Sequence, residues 1–205
     1  MSTVAPLHPP AAVRTRPGPP VVAVLGPPGA GAADRAQRFA ATVGWPAAAF
    51  GDALRREIAD GTGLGRHAGA AVRTGDLIPD HLAVGLVRQV LDGHADAPGV
   101  VLAGYPRTIE QARALAVIAP GSVRWCVALV APRILLRTRI LTRDRPEETE
   151  YAVHRRFLAF DRDTRAVISA YARHGIVRFV DLRRDPVEMT ARLVAVARDS
   201  GVVEP

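Results

Sequence analysis

The chain has 205 residues, and 48% of them are hydrophobic, which predicts one globular domain with small insertions rather than a disordered chain. No apolar stretch is long enough to cross a bilayer, and the first residues lack the pattern of a secretory signal. We therefore expect a cytoplasmic protein with no membrane partner. A single cysteine, Cys126, excludes an internal disulfide and any multi-cysteine metal site, and its apolar surroundings predict a buried core residue.

The formal net charge is +7, and all 27 basic residues are arginine, because the sequence contains no lysine. This bias is compatible with codon composition alone. Arginine nevertheless has a planar fork that suits phosphate, and it stays charged at any working pH. A basic chain can also bind nucleic acid, but here the arginines are spread over the whole sequence with few aromatic residues between them. We therefore do not expect a nucleic-acid partner.

The sequence predicts a tail followed by alternating strands and helices. Residues 1–20 are rich in proline, alanine and arginine and predict a disordered tail. Short apolar runs predict strands at residues 21–25, 47–50, 100–103, 123–130 and 176–180. Helical patterns lie between them, including one over 32–43 and a long one over 148–173. This alternation predicts an α/β fold with a five-stranded parallel sheet, and a helix-prone insert at about 50–80 separates the second and third strands.

The sequence GPPGAGAAD at residues 26–34 directly follows the first predicted strand and opens a helix. In that context a glycine-rich turn predicts a P-loop, since its backbone N–H groups and the helix N-terminus can surround phosphate oxygens. The predicted P-loop residues are Gly26, Pro27, Gly29, Ala30, Gly31, Ala32, Ala33 and Asp34.

The GPPGAG opening resembles that of adenylate kinases, and the resemblance continues with hardly any gap from about residue 21 to 197. The further matching segments are GDALRR at 51–56, GDLIPD at 75–80, GYPRT at 104–108 with Gln111, and RDRPEE at 143–148 with Arg156. In combination they resemble the short-lid bacterial form of the family. The resemblance implies a P-loop NTPase-type sheet with helices on both faces. It also implies an insert at about 50–80 that binds a nucleoside monophosphate and a short lid at about 141–148.

The resemblance also implies a site for AMP. Its residues would be Gly51, Arg55, Gly104, Arg107 and Gln111. Arg55 and Arg107 would hold the AMP phosphate, and Gln111 would hydrogen-bond the adenine.

Four arginines would carry the transfer step, by the same resemblance. They are Arg107, Arg143, Arg145 and Arg156, of which the last three would close on the phosphates. Phosphoryl transfer depends mostly on positioning and on neutralising negative charge, and arginines from several elements can do both.

The chain departs from the family pattern at the P-loop and beside it. The family lysine is Ala32, and the threonine two residues later is Asp34, whose carboxylate we expect to repel nucleotide phosphates and to cap the P-loop amides itself. The aspartate that helps to hold Mg²⁺ is Ala103, and a threonine of the monophosphate pocket is Phe50. Arg35, about one helical turn past Ala32, is the candidate to replace the lost charge, although its position usually faces outward.

A milder departure is in the lid, where Glu147 and Glu148 stand for paired aspartates. None of the histidines shows metal-ligand spacing, so no protein-held metal is expected.

Two functions remain open. The favoured one is a monomeric adenylate-kinase-like protein that binds adenine nucleotides, AMP better than ATP, without efficient phosphoryl transfer. The alternative is a working nucleoside monophosphate kinase in which arginines replace the lost lysine. If the protein is active, it would use Mg²⁺ with ATP, and no cofactor would be tightly bound.

Overall fold

Five parallel strands form one sheet in the order β2-β3-β1-β4-β5. The computed structural model describes residues 18–142, 145 and 148–203, so most of the predicted N-terminal tail lies outside the described residues. The strands are β1 (Val21–Leu25), β2 (Ala47–Ala49), β3 (Val100–Ala103), β4 (Val123–Val130) and β5 (Val177–Asp181). The sheet therefore confirms the α/β architecture that the sequence predicts.

The strands are apolar along their length because helices cover both faces of the sheet. All five residues of β1 are buried, as expected for the central strand. Val22 and Val24 face one layer of the core, and Val21 and Leu25 face the other.

The helices lie between the strands in chain order. They are α1 (Ala32–Val43), α2 (Phe50–Ala59), α3 (Gly63–Thr74), α4 (Asp80–Asp92), α5 (Ile109–Ile118), α6 (Arg133–Leu141), α7 (Glu150–Ala159), α8 (Arg165–Arg173) and α9 (Pro186–Asp199). The predicted insert at about 50–80 thus consists of α2, α3 and the loop that leads to α4.

The long helix predicted over residues 148–173 contains an irregular segment. A π-helical turn, Phe160–Thr164, joins α7 directly to α8, with no residue between the three segments. π-turns occur frequently at functional sites because the extra residue widens the helix and redirects side chains. Here Phe160 and Thr164 reach the cavity described below.

Candidate nucleotide site

The sheet brings three chain segments to one edge. Strands β2, β3 and β1 are neighbours, and their ends are in register: Ala49 pairs with Ala103, and Ala103 pairs with Val24. Because parallel strands point the same way, the segments that follow them meet at the carboxyl edge of the sheet, where α/β proteins bind ligands. The backbone N–H of Gly104 donates to the carbonyl of Val24 at 2.9 Å, which joins two of these segments directly.

The glycine-rich loop after β1 depends on glycine at position 29. Gly29 has φ +81°, and a Cβ there would lie 2.4 Å from the carbonyl oxygen of Leu136 on α6. The loop therefore packs closely on α6 before α1 begins at Ala32. The N-cap residue of α1 is Gly31, which has no side chain to cap the helix. Because Gly31 and the first residues of α1 line the adjoining cavity, the positive end of the α1 dipole lies beside it.

A cavity of about 490 Å³ lies at this edge of the sheet. It is lined by the loop after β1, the starts of α2 and α5, and one face of α7. Among its lining residues are Gly26, Pro27, Gly29, Ala30, Gly31, Ala32, Ala33, Asp34, Gly51, Arg55, Gly104, Arg107, Gln111, Arg145 and Arg156. The structure thus brings together every predicted site residue except Arg143, which lies outside the described residues.

Arg107 is the most strongly perturbed cation of the cavity. Its Nε donates to the carbonyl of Gly104 at 2.8 Å, which fixes the side chain over the cavity. Burial, followed by the neighbouring charges of Arg156 and Arg55, lowers the pKa of Arg107 to about 10. Arg55 and Arg156 are each paired with a carboxylate, of Asp52 and Glu148 respectively, which leaves a net positive cluster that favours the binding of an anion.

Gln111 is held in place by two hydrogen bonds from its amide group. It is 2% exposed, its Oε1 accepts from the backbone N–H of Arg107 at 2.8 Å, and its Nε2 donates to Asp80 Oδ1 at 2.8 Å. Each amide atom retains one further hydrogen-bonding position of the kind that a nucleobase uses. Asp80 ends the GDLIPD segment noted in the sequence, but its role in orienting this amide was not predicted.

A family model described as Adenylate kinase matches residues 24–176. The chain belongs to the adenylate kinase family. It is 36% identical over 171 residues to adenylate kinase 1 of Synechocystis sp., covering 82% of this chain and 90% of that relative. It is 36% identical to the adenylate kinase of Thermus thermophilus over 85% of this chain and 95% of the relative. With the adenylate kinase of Mycolicibacterium vanbaalenii it shares 35% identity over 74% and 85% of the two chains.

Within this adenylate kinase fold, Asp34 does not act as the internal cap that the sequence predicted. It lines the cavity at the start of α1, but its side chain is exposed. No hydrogen bond to its carboxylate is found within residues 18–142, 145 and 148–203. The carboxylate therefore places a negative charge beside the loop without filling it.

Ala103 lies at the carboxyl end of β3, is 3% exposed, and lines the cavity with a methyl group. Its side chain offers no oxygen to a metal or to metal-bound water. Across the described part of the chain, no group of three or more histidine, cysteine or acidic side chains is arranged to hold a metal ion.

Phe50 forms a wall of the cavity rather than a plug. It is 4% exposed, and its ring centroid lies 5.4 Å from that of Tyr105. The guanidinium carbon of Arg107 lies 6.0 Å from the same ring, within the range of a cation–π contact. The aromatic ring therefore supports Arg107 from an apolar side, where the family pattern has a hydroxyl.

Arg35 does not face outward as expected. It is partly buried, and its Nη1 lies 3.5 Å from the carbonyl oxygen of Gly31, so the guanidinium folds back on the loop. Arg139 of α6, which sequence reasoning did not find, is close enough to lower the pKa of Arg35.

The predicted lid at about 141–148 contributes two described residues to the cavity. Arg145 and Glu148 line it, whereas Arg143 and Glu147 lie outside the described residues. Glu148 is largely buried, and its Oε1 lies 3.6 Å from Arg156 Nη1. Its Oε2 is buried and accepts no hydrogen bond from the part of the chain that the structure describes.

Thr164 of the π-turn is a further residue that sequence reasoning missed. It is 4% exposed, and its Oγ1 donates to the backbone carbonyl of Arg107 at 3.1 Å. The π-turn therefore fixes the loop that carries Arg107.

No helix within the described residues is both long enough and apolar enough to span a membrane.

Proposed function

We propose that this adenylate kinase family member binds adenine nucleotides, AMP better than ATP, and is impaired in phosphoryl transfer. The observation that supports AMP binding is the cluster of Arg55, Arg107 and Arg156 around one cavity, with Gln111 held at its edge. A phosphate group would relieve the repulsion between these cations and accept charge-assisted hydrogen bonds from them. We further propose that the protein is monomeric and cytoplasmic.

The impairment follows from the P-loop. Ala32 offers a methyl group where a lysine would contact the triphosphate, and Asp34 adds a negative charge beside the same loop. Loss of one preorganised donor to transition-state charge typically slows catalysis by about 10²–10³-fold. The departures at Ala32, Asp34 and Ala103 together should therefore reduce transfer at least this much.

Mg²⁺ would accompany ATP if the protein were active. Magnesium sites beside phosphates use one or two carboxylates together with water. The exposed carboxylate of Asp34 lines the cavity, but Ala103 removes the second oxygen group at the end of β3. These residues do not reproduce the family pattern of metal positioning, so the proposed function includes no metal-dependent step.

The alternative is a working nucleoside monophosphate kinase with an arginine in place of the lysine. The position of Arg35 against Gly31 favours it, because this arginine lies within one helical turn of Ala32. A coupled assay for ADP formation from ATP and AMP with Mg²⁺ separates the two functions. We expect trace turnover at most; a rate on the order of tens per second, within the usual kinase range, would contradict the impairment.

The AMP site is tested by isothermal titration of the wild type and of Arg107→Ala. Removing a partly buried cation that binds phosphate should weaken AMP binding by at least about tenfold. Arg113→Ala is the matched control, because Arg113 lies on neighbouring α5, pairs with Glu110, and is not among the cavity residues. Wild-type protein that does not bind AMP, or equal affinities in all three proteins, would overturn the site.

A further inference from the structure

Arg35 lies where a side chain from α1 can return to the P-loop. It is three residues after Ala32, so both positions share one face of the helix. Helical side chains lean toward the N-terminus, over the preceding turn. Arg35 follows this rule: its Nη1 lies 2.7 Å from the place that a Cβ on Gly31 would occupy. The guanidinium therefore contacts the loop backbone beside Ala32, where the family pattern has a lysine.

The same guanidinium is poorly satisfied by hydrogen bonds within the described residues. Its Nε is buried and has no hydrogen-bond partner within the described residues. Its contact with the Gly31 carbonyl, at 3.5 Å, is long for a hydrogen bond. Burial, followed by the charge of Arg139, lowers the pKa of Arg35, and Asp34 is the acidic neighbour that opposes this shift.

A partly buried cation with an unused donor and a like-charged neighbour destabilises the folded protein unless an anion joins it. No salt bridge to Arg35 is present in residues 18–142, 145 and 148–203. Asp34, the adjacent acid, is exposed and forms no hydrogen bond with it in this described part. The position is therefore better explained by a ligand than by stability.

We propose that Arg35 is the phosphate-binding cation of this P-loop, in place of the missing lysine, and that its ligand is the polyphosphate of a nucleoside triphosphate. The inference rests on the proposed function, since it assumes that nucleotides enter the same cavity. Arg35 itself does not line the cavity in this conformation, whereas Gly31 and Ala32 do. The long contact to Gly31 has to break before the guanidinium can turn toward phosphate on the loop.

This arrangement supplies binding without restoring fast transfer. A guanidinium that reaches back from the next helical turn binds phosphate as a planar fork, whereas a lysine at position 32 would act as a point charge within the loop. The transition state needs donors held at fixed positions. A side chain that must first leave Gly31 binds the ground state without such preorganisation.

The test compares Arg35→Gln with Arg38→Gln, its exposed neighbour on the same helix. Each protein is titrated with ATP, with inorganic tripolyphosphate and with AMP. We expect Arg35→Gln to weaken ATP and tripolyphosphate by about tenfold or more, and Arg38→Gln to change them by less than about twofold. AMP should bind all three proteins equally. The melting temperature of Arg35→Gln should equal or exceed that of the wild type, because a poorly satisfied cation is removed.

Arg35→Lys is the second variant, since it retains the charge; we expect it to bind ATP more tightly than Arg35→Gln does. The proposal is overturned if Arg35→Gln binds ATP as the wild type does, or if both glutamine variants lose affinity equally. A lower melting temperature with unchanged ATP affinity would instead show a structural arginine. Absence of AMP binding in the wild type would refute the proposed function independently of these results.

Discussion

At the scale of single residues, Asp34 combines two opposing effects. As an acidic residue in the first turn of α1, it interacts favourably with the helix dipole. As a cavity-lining carboxylate beside the glycine-rich loop, it is expected to repel phosphate. Asp34→Asn keeps the shape and removes the charge. We expect the free energy of unfolding to fall by about 0.3–1 kcal/mol and ATP to bind severalfold more tightly, as measured by urea unfolding and calorimetry.

The control is Asp199→Asn, which removes the same charge at the C-terminal end of α9. A carboxylate there opposes the dipole, so its loss should leave stability unchanged or slightly higher, and ATP affinity should not change. A gain in ATP affinity from Asp199→Asn would show that Asp34 acts only through net charge. An unchanged affinity in Asp34→Asn would show that its carboxylate does not face bound phosphate.

At the scale of helices, the end of α3 packs against α7. Gly75 has φ +79°, and a Cβ there would lie 2.2 Å from the carbonyl oxygen of Ala152. Arg155 Nη2 also donates to Asp76 Oδ1 at 2.5 Å across the same contact. Gly75→Ala should therefore force α3 away from α7, lower the melting temperature, and raise amide exchange at residues 74–78.

Gly61→Ala is the matched control, because Gly61 also has a positive φ of +61° but no atom within 4 Å of the added Cβ. It isolates the backbone strain, roughly 1–2 kcal/mol, from the collision with Ala152. Equal melting temperatures and equal exchange in the two variants would show that the contact between α3 and α7 adds nothing at Gly75.

The strands and most helices were predictable because their signals are local. Apolar runs identified the strands to within one residue, including the central Val21–Leu25. The π-turn at Phe160–Thr164 was not predictable, since its sequence continues a helical pattern without a glycine or proline. Its effect depends on the bond from Thr164 to Arg107, which joins positions 57 residues apart.

The candidate site was predictable where motifs follow neighbouring strands, because topology alone brings those segments together. Side-chain contacts within the site were not. Asp80 orients Gln111 across 31 residues, and no local pattern indicates that pairing. The inward position of Arg35 likewise depends on how its side chain returns over Gly31, which residue spacing alone does not determine.

At the scale of the whole molecule, the proposed departures from the family pattern lie around one cavity of an adenylate kinase family fold. The five-stranded parallel sheet is present, and the arginine cluster lies at its carboxyl edge. Ala32, Asp34 and Ala103 all line the cavity, so side chains placed there would point into the same space. The scaffold should therefore be able to support phosphoryl transfer once these three positions are restored.

The combined variant Ala32→Lys, Asp34→Thr, Ala103→Asp should form ADP from ATP and AMP at least about 100-fold faster than the wild type does. This is the effect typical of restoring one donor to the transition state. The melting temperature should fall, because Ala103 is 3% exposed and the charged carboxylate of an aspartate there would be removed from water. Adding Arg107→Ala to the triple variant is the control and should remove most of the gain at low AMP concentration, since AMP would bind at least about tenfold more weakly. A triple variant that binds both nucleotides yet stays at wild-type turnover would show that the impairment lies elsewhere in the chain.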